Sequence, residues 1–481
     1  MKSKFRKTIY IIMALAASGA VLYALWRAGA FLPRWIVWTK GSVCDDTGSY
    51  ETTLAGKKVF VTRGGEKIWD SPEGVKVQQV LSCDMDRDGR DELILLCWKR
   101  GRFGKYMPFW IEEDEKNWSQ HIFVYEYAED TIYPKWMSSY IGQDVAQMAF
   151  GGNKSCHKRL FLTDPEGAVS YWHWESWGFT KEEAEVSFVV FGDNLIHEPI
   201  YTYGLNREGG FDFLYDNVRA MIEESDISVI NQETPLVWKP EQYGDYPRFG
   251  TPAEVGEAMI HAGFDVVTCA TNHALDRGIE GIHTTKELFT DHGVLCLGIQ
   301  APGEAGRRPY EIMMRNNMKL ALFNVSYGTN GIALPEEYPY MVHLLEEEGQ
   351  MREDIRKAGE EADAVIVFAH WGTENSGDVD AFQEKWTQVF LEEKVDVVVG
   401  THPHTIQPYE MLEGKDGHKM LVYYSIGNFV SAQPEKSCTK GGMASFTIAP
   451  LSDGVNVTKY SLSPLTIQWQ KGGGYVPVLE E

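Results

Sequence analysis

Paired cysteines are the first thing this 481-residue sequence lacks. Seven are scattered along it (Cys44, Cys83, Cys97, Cys156, Cys269, Cys296 and Cys438), with no CxxC pair and no zinc-knuckle spacing. That excludes a thiolate zinc site and leaves most of them to serve as small apolar residues. Cys83 and Cys97, at the flanks of an expected hairpin, have the one context suited to a disulfide. Basic charge is short as well. Against 69 Asp and Glu stand 45 Lys and Arg, a net charge of −24. Binding to a phosphate backbone needs clustered cations that displace counterions, so nucleic acid is excluded as a partner. Apolar material is not lacking: a 43% hydrophobic fraction with 15 Trp, 23 Tyr and 22 Phe supplies sizeable cores and excludes global disorder.

At the N-terminus, Lys2, Lys4, Arg6 and Lys7 precede an uncharged stretch from Ile9 to Trp26. At about 1.5 Å per residue this nearly spans a ~30 Å hydrocarbon layer. A single transmembrane helix within residues 1–40 is expected. Its basic end would stay in the cytoplasm, placing the bulk of the chain outside the cell membrane. The rival is a cleaved signal peptide, for which Ala17, Ser18, Gly19 and Ala20 supply small residues. Against it, the apolar run continues through Val21 to Trp26.

Residues 41–183 read as a small all-β domain. Short alternating runs such as KKVFVTR, DELILLCW and HIFVYEYA are separated by Gly, Asp, Pro and Asn, with two loosely similar blocks hinting at propeller-like repeats. Within it, Asp84, Asp86 and Asp88, then Gly89 and Glu92, precede the strand Leu93–Leu96. Alternate carboxylates on a Gly turn can converge on Ca²⁺, and the spacing resembles the calcium loops of integrin-type propeller repeats. The alternative is an acidic turn solvated by water.

From residue 184 to about 470 the pattern changes to a layered α/β sheet domain. Near-continuous apolar runs at Val186–Phe191, Ile227–Ile230, Val266–Cys269, Lys319–Val325, Ala364–Phe368, Val395–Val399 and Leu421–Tyr424 suit parallel strands covered on both faces. Helices are expected over Phe211–Glu224, Thr251–Ala262, Gly281–His292, Met351–Glu361 and Asp380–Glu393. Five of the strands run out into short polar loops carrying Asp193, Glu233, Asn272 with His273, His370 with Glu374, and His402 with His404. The C-terminal ends of parallel strands lie on one edge, where ligands bind. Singly, each residue reads as well as a helix cap or a satisfied polar group. Together they form a mixed oxygen and nitrogen set suited to Mn²⁺, Fe or Zn²⁺, one ion or two, and hence to hydrolysis by a polarised water.

These segments, with Ser425-Ile426-Gly427-Asn428-Phe429, resemble the CapA-type family of poly-γ-glutamate (capsule) biosynthesis proteins, which is related to the calcineurin-like metallophosphatases. The resemblance covers most of residues 185–450. It implies that Asp193 binds one metal and that Glu233 bridges. Asn272, His370 and His402 would bind the second metal, His404 would return to the first, and His273 would act as acid beside the substrate. Arg248 and Glu374 are implied substrate contacts, and each reads equally as a salt-bridged surface group. Two departures stand out: Leu195 occupies the place of a metallophosphatase His, for which His197 is a candidate substitute, and Glu233 replaces an Asp. A one-metal site is the alternative they raise. The expected function is a membrane-anchored hydrolase or transferase acting on an anionic envelope polymer or phosphoester, beside polymer-synthesis machinery. The alternatives are a non-catalytic polymer-binding or export component, and adhesion through the Asp84–Glu92 loop.

Overall fold

The computed structural model describes residues 2–103, 109–138, 141–151, 159–182, 184–304, 306–345, 347–451, 454–470 and 474–480, with the backbone alone for residues 2–12 and 14. The chain divides into two compact units, with the boundary near residue 183. A helix runs over Lys2–Arg27. Among the described residues no helix is long and apolar enough to cross a membrane. The anchor expected over Ile9–Trp26 falls in part on residues whose side chains lie outside the described ones.

The first unit contains three antiparallel four-stranded sheets, each joining strands consecutive in sequence, within residues 41–70, 76–137 and 147–182. The expected hairpin forms between Lys76–Cys83 and Glu92–Arg100. Its register sets Cys83 opposite Glu92 and Cys97 opposite Val77, so the two cysteines sit apart along the ladder and no disulfide joins them.

Besides the short parallel pair Leu236–Val237 and Thr251–Pro252, the second unit holds two large sheets rather than the single sheet edge expected from sequence. One has eight strands, in the order Leu295–Leu297, Val266–Thr268, Ile227–Gln232, Val186–Asn194, Lys440–Leu451, Gly454–Gln470 and Gly474–Leu479, with Asn428–Val430 also against Val186–Asn194. The other has six: Glu311–Arg315, Met318–Ser326, Ala364–His370, Val397–Thr401, Lys419–Tyr423 and Tyr409–Glu413. In each, the ligand-bearing strands run parallel. Alternation along the strands explains the layering. Phe188, Val190 and Val229 of the first sheet meet Leu320, Ile366, Phe368 and Val399 of the second in a core between them. Phe191, Ile230 and Val267 face outward onto the helices Ala253–Ala262 and Gly278–Asp291. On the far side Val367 and Val398 face Glu348–Glu361 and Ala381–Glu392. Strands covered on both faces need apolar residues at every position, which is why they read as unbroken runs.

At the entrance to four of these strands an Asp recurs. Asp226, Asp265, Asp363 and Asp396 accept the backbone N–H of Ser187, Ser228, Lys319 and Val365 on the neighbouring strand, at 2.8 to 2.9 Å. Each ties its own strand's start to the next and so fixes their register. The expected helix over Phe211–Glu224 is broken instead into a 3-10 turn, Asp212–Leu214, and a short helix, Arg219–Glu224. Phe211, Phe213, Leu214, Tyr215 and Val218 are all buried. That is too wide a spread for one helical stripe, and tighter turns let the rings point inward together.

Candidate metal centre

Asp193, Asn272, His370, His402 and His404 are buried at the C-terminal ends of strands from both sheets, and Glu233 follows the end of Ile227–Gln232. Glycines permit the close approach this requires. A Cβ on Gly192 would stand 1.8 Å from the Gly427 carbonyl oxygen, and one on Gly400 1.9 Å from that of Tyr424. Beyond Gly400 the backbone turns through left-handed conformations at His402 (φ 96°) and His404 (φ 60°), on either side of Pro403. Such geometry costs about 1–3 kcal/mol per non-Gly residue and persists only when its surroundings enforce it. Here Asp193 Oδ2 accepts the His402 N–H at 3.2 Å, and the Asn375 N–H donates to the Pro403 carbonyl at 2.8 Å.

Donor atoms of buried residues alone form two groups, Asp193/Glu233/His404 and Glu233/His370/His402, in each of which they lie within 4.8 Å of one another. Glu233 belongs to both. Asn272 Oδ1 joins the second, 2.8 Å from His370 Nε2, whose Nδ1 meets Thr401 Oγ1 at 3.0 Å. Neither carboxylate oxygen of Glu233 has a hydrogen-bond partner, and neither does His402 Nδ1. A buried carboxylate with no donor is among the most costly arrangements in a protein interior. Burial accordingly pushes the Glu233 carboxyl well above its usual range, against the pull of His404. Burial holds His370 and His402 well below the ordinary imidazole value. At His404 burial acts the same way but is outweighed by Glu233 and Asp193, which raise it to about 9. Acceptors without donors, beside the neutral imidazoles of His370 and His402, are what a divalent cation requires, so the residues present fit one.

His273 lies just outside. Its Nδ1 is 2.7 Å from Asp276 Oδ2, which also accepts the Phe249 N–H at 2.8 Å. The Phe249 ring stands edge-on to His273 at 4.8 Å. Asp276 was missed in the sequence, although its spacing three residues after His273 was the available signal. Asn231 was missed too; it donates to Asp193 Oδ1 at 2.8 Å. Tyr327, whose ring lies 4.5 Å from that of His402, was the third. Glu374 is exposed but close to His402 and His404, whereas Arg248 is exposed and joins none of the groups. Leu195 is buried and supplies no ligand. His197 does not replace it: its Nδ1 takes the Ala432 N–H at 3.3 Å, and its ring packs on Phe249.

In the first unit Asp84, Asp86 and Glu92 converge as expected, but Asp88 stands apart, accepting the Arg90 N–H. The Lys135 ammonium lies 2.5 Å from Asp86 and 2.6 Å from Glu92, bringing positive charge where a cation was expected.

Residues 187–433, half of the chain, match the family described as bacterial capsule synthesis protein PGA_cap. The chain belongs to this family. Among relatives, it is 23% identical over 295 residues to the PGA biosynthesis protein CapA of Bacillus subtilis (strain 168), covering 57% of this chain and 72% of that protein. It is 24% identical over 318 residues to the capsule biosynthesis protein CapA of Bacillus anthracis, covering 61% and 73%. Solved structures overlap more loosely. The NAD nucleotidase NadN of Haemophilus influenzae has a TM-score of 0.39 at 12% identity, over 59% of this chain and 52% of that one. The calcineurin-like phosphoesterase YfkN of B. subtilis has a TM-score of 0.35 at 13% identity, over 59% and 91%. Overlaps of that quality assign nothing by themselves.

Proposed function

We propose that residues 184–480 form a metal-dependent hydrolase or transferase of capsule synthesis, acting on an anionic envelope polymer such as poly-γ-glutamate or on a phosphoester. The observation that carries this reading is Glu233, buried, without a hydrogen-bond donor, and shared by two groups of ligand atoms. Asp193, Glu233 and His404 would hold one divalent ion, and Glu233, Asn272, His370 and His402 another. The donor set suits Mn²⁺, Fe or Zn²⁺. An ion bound there supplies Lewis acidity toward a phosphoryl or carbonyl oxygen and acidifies water. The chain's own part is to orient and to move protons. Asp276 accepts the Nδ1 hydrogen of His273, which leaves Nε2 to take a proton or return one to a leaving group. Phe249, wedged between His197 and His273, excludes water from that side.

The same proposal places the chain at the membrane, through the helix Lys2–Arg27 and its uncharged stretch, with the rest outside the cytoplasm and near polymer-synthesis partners. A second reading, a polymer-holding component without catalysis, is favoured by Leu195, which leaves the first group with three ligands. Metal analysis of the purified full chain, with phosphoester and γ-glutamyl cleavage assays, separates them. The enzyme reading expects about one or two ions per chain and turnover lost in His402→Ala. Bound metal and retained polymer without any cleavage would favour the second. A chain that takes up no transition metal would overturn both metal roles.

A further inference from the structure

His404 is held by groups that can only accept. Its Nδ1 lies 3.0 Å from Asn428 Oδ1 and 3.2 Å from Asp193 Oδ2. The orientation of the Asn428 amide is fixed by its own neighbours, since its nitrogen is 3.0 Å from the Cys438 carbonyl oxygen and 2.8 Å from Gln433 Oε1. A main-chain carbonyl never donates, so the atom facing Cys438 must be the amide nitrogen, and the oxygen must face His404. An amide oxygen and a carboxylate both accept. The hydrogen of a neutral His404 ring therefore sits on Nδ1, and its lone pair on Nε2. That Nε2 is 3.7 Å from Glu233 Oε1, one of the two oxygens without a donor.

We infer that Asn428 is a positioning residue for the metal centre: by accepting the Nδ1 hydrogen, it locks His404 in the tautomer that presents Nε2, beside Glu233, to the cation. The inference rests on the reading that a cation binds here. The fold supports it, because Asn428 opens the strand Asn428–Val430 and is the cross-strand partner of Asp193. A ligand and the residue that orients another ligand are thus placed by one backbone pairing. Asp would serve poorly at 428, since one of its oxygens would face the Cys438 carbonyl with no hydrogen between them. His402, whose Nδ1 has no partner, is not fixed in this way.

The test uses the full chain with ¹⁵N-labelled histidines and ¹¹³Cd²⁺ as the probe. One-bond ¹¹³Cd–¹⁵N coupling is expected on Nε2 of His404, with the hydrogen retained on Nδ1; His404→Ala assigns the signal. Asn428→Leu, similar in size but unable to accept, should weaken Cd²⁺ and Mn²⁺ binding by about 10–100-fold. Coupling through Nδ1 of His404, or unchanged affinity in Asn428→Leu, would overturn this inference and leave the metal reading intact. Failure of the wild-type chain to bind either ion would overturn both. Should the leucine variant fail to fold, the wild-type coupling decides alone.

Discussion

Burying Glu233 without a donor burdens the metal-free fold, and the same carboxylate is what a cation needs. Glu233→Gln should therefore move two observables in opposite directions. Metal content falls, while the metal-free protein melts higher at pH 7–8, by the equivalent of roughly 1–3 kcal/mol. Metal analysis and thermal melts in chelator check this; a variant that keeps its metal and melts lower would contradict it. At His273 the expectation concerns rate alone. Asp276→Asn takes away the carboxylate that holds Nδ1–H, and turnover should drop about 10²–10⁴-fold with metal content unchanged. Equal turnover would remove His273 from the proton-transfer role. The residues whose donor atoms gather here were legible in the sequence, since each follows an apolar strand. The roles of Asp276 and Asn428 were not, although spacing and motif marked the two residues, because those roles depend on which hydrogen-bonding atoms face them, and that appears only once the loops are folded.

Among the elements, the Asp at the start of four strands makes a testable device. Asp396 is buried with a single donor, the Val365 N–H, and burial pushes its carboxyl from 3.8 up to about 7. A folded value above the unfolded one means the native state holds the extra proton between them. This residue's contribution to stability therefore declines as pH rises from about 4 to 7, and the penalty is complete above that. Asp396→Asn keeps an acceptor for Val365 and should flatten that decline, gaining about 2–4 kcal/mol at pH 8 and little at pH 4. Denaturant melts at the two pH values measure it; an equal effect at both would refute the assignment. The sequence disclosed these strands and most of the helices because burial on both faces leaves unbroken apolar runs. It did not disclose that the strands split between two sheets, since a parallel strand reads alike in either. The antiparallel strands Lys440–Leu451 and Gly454–Gln470 were missed as well, the second being exposed at many positions.

For the molecule as a whole, a cation that binds only the folded state stabilises it by mass action, about 2.7 kcal/mol at a hundredfold excess over Kd. Chelation should lower the melting transition of residues 184–480 by roughly 5–10 °C. Mn²⁺ should restore it, and scanning calorimetry of the same sample before and after EDTA checks this. No shift on chelation would mean that the centre contributes nothing to holding the two sheets together.

The seam between those sheets also imposes an order in time. Asp193, Glu233 and Asn272 come from the first sheet and its loops, whereas His370, His402 and His404 come from the second. During synthesis the oxygen donors emerge first, and the three imidazoles follow about a hundred residues later, on strands that must dock before any ring reaches Glu233. On the proposed reading, transition-metal capture needs those imidazoles and would be deferred until both sheets are in place. Metal bound as proposed would then mark a chain whose two large sheets have both docked.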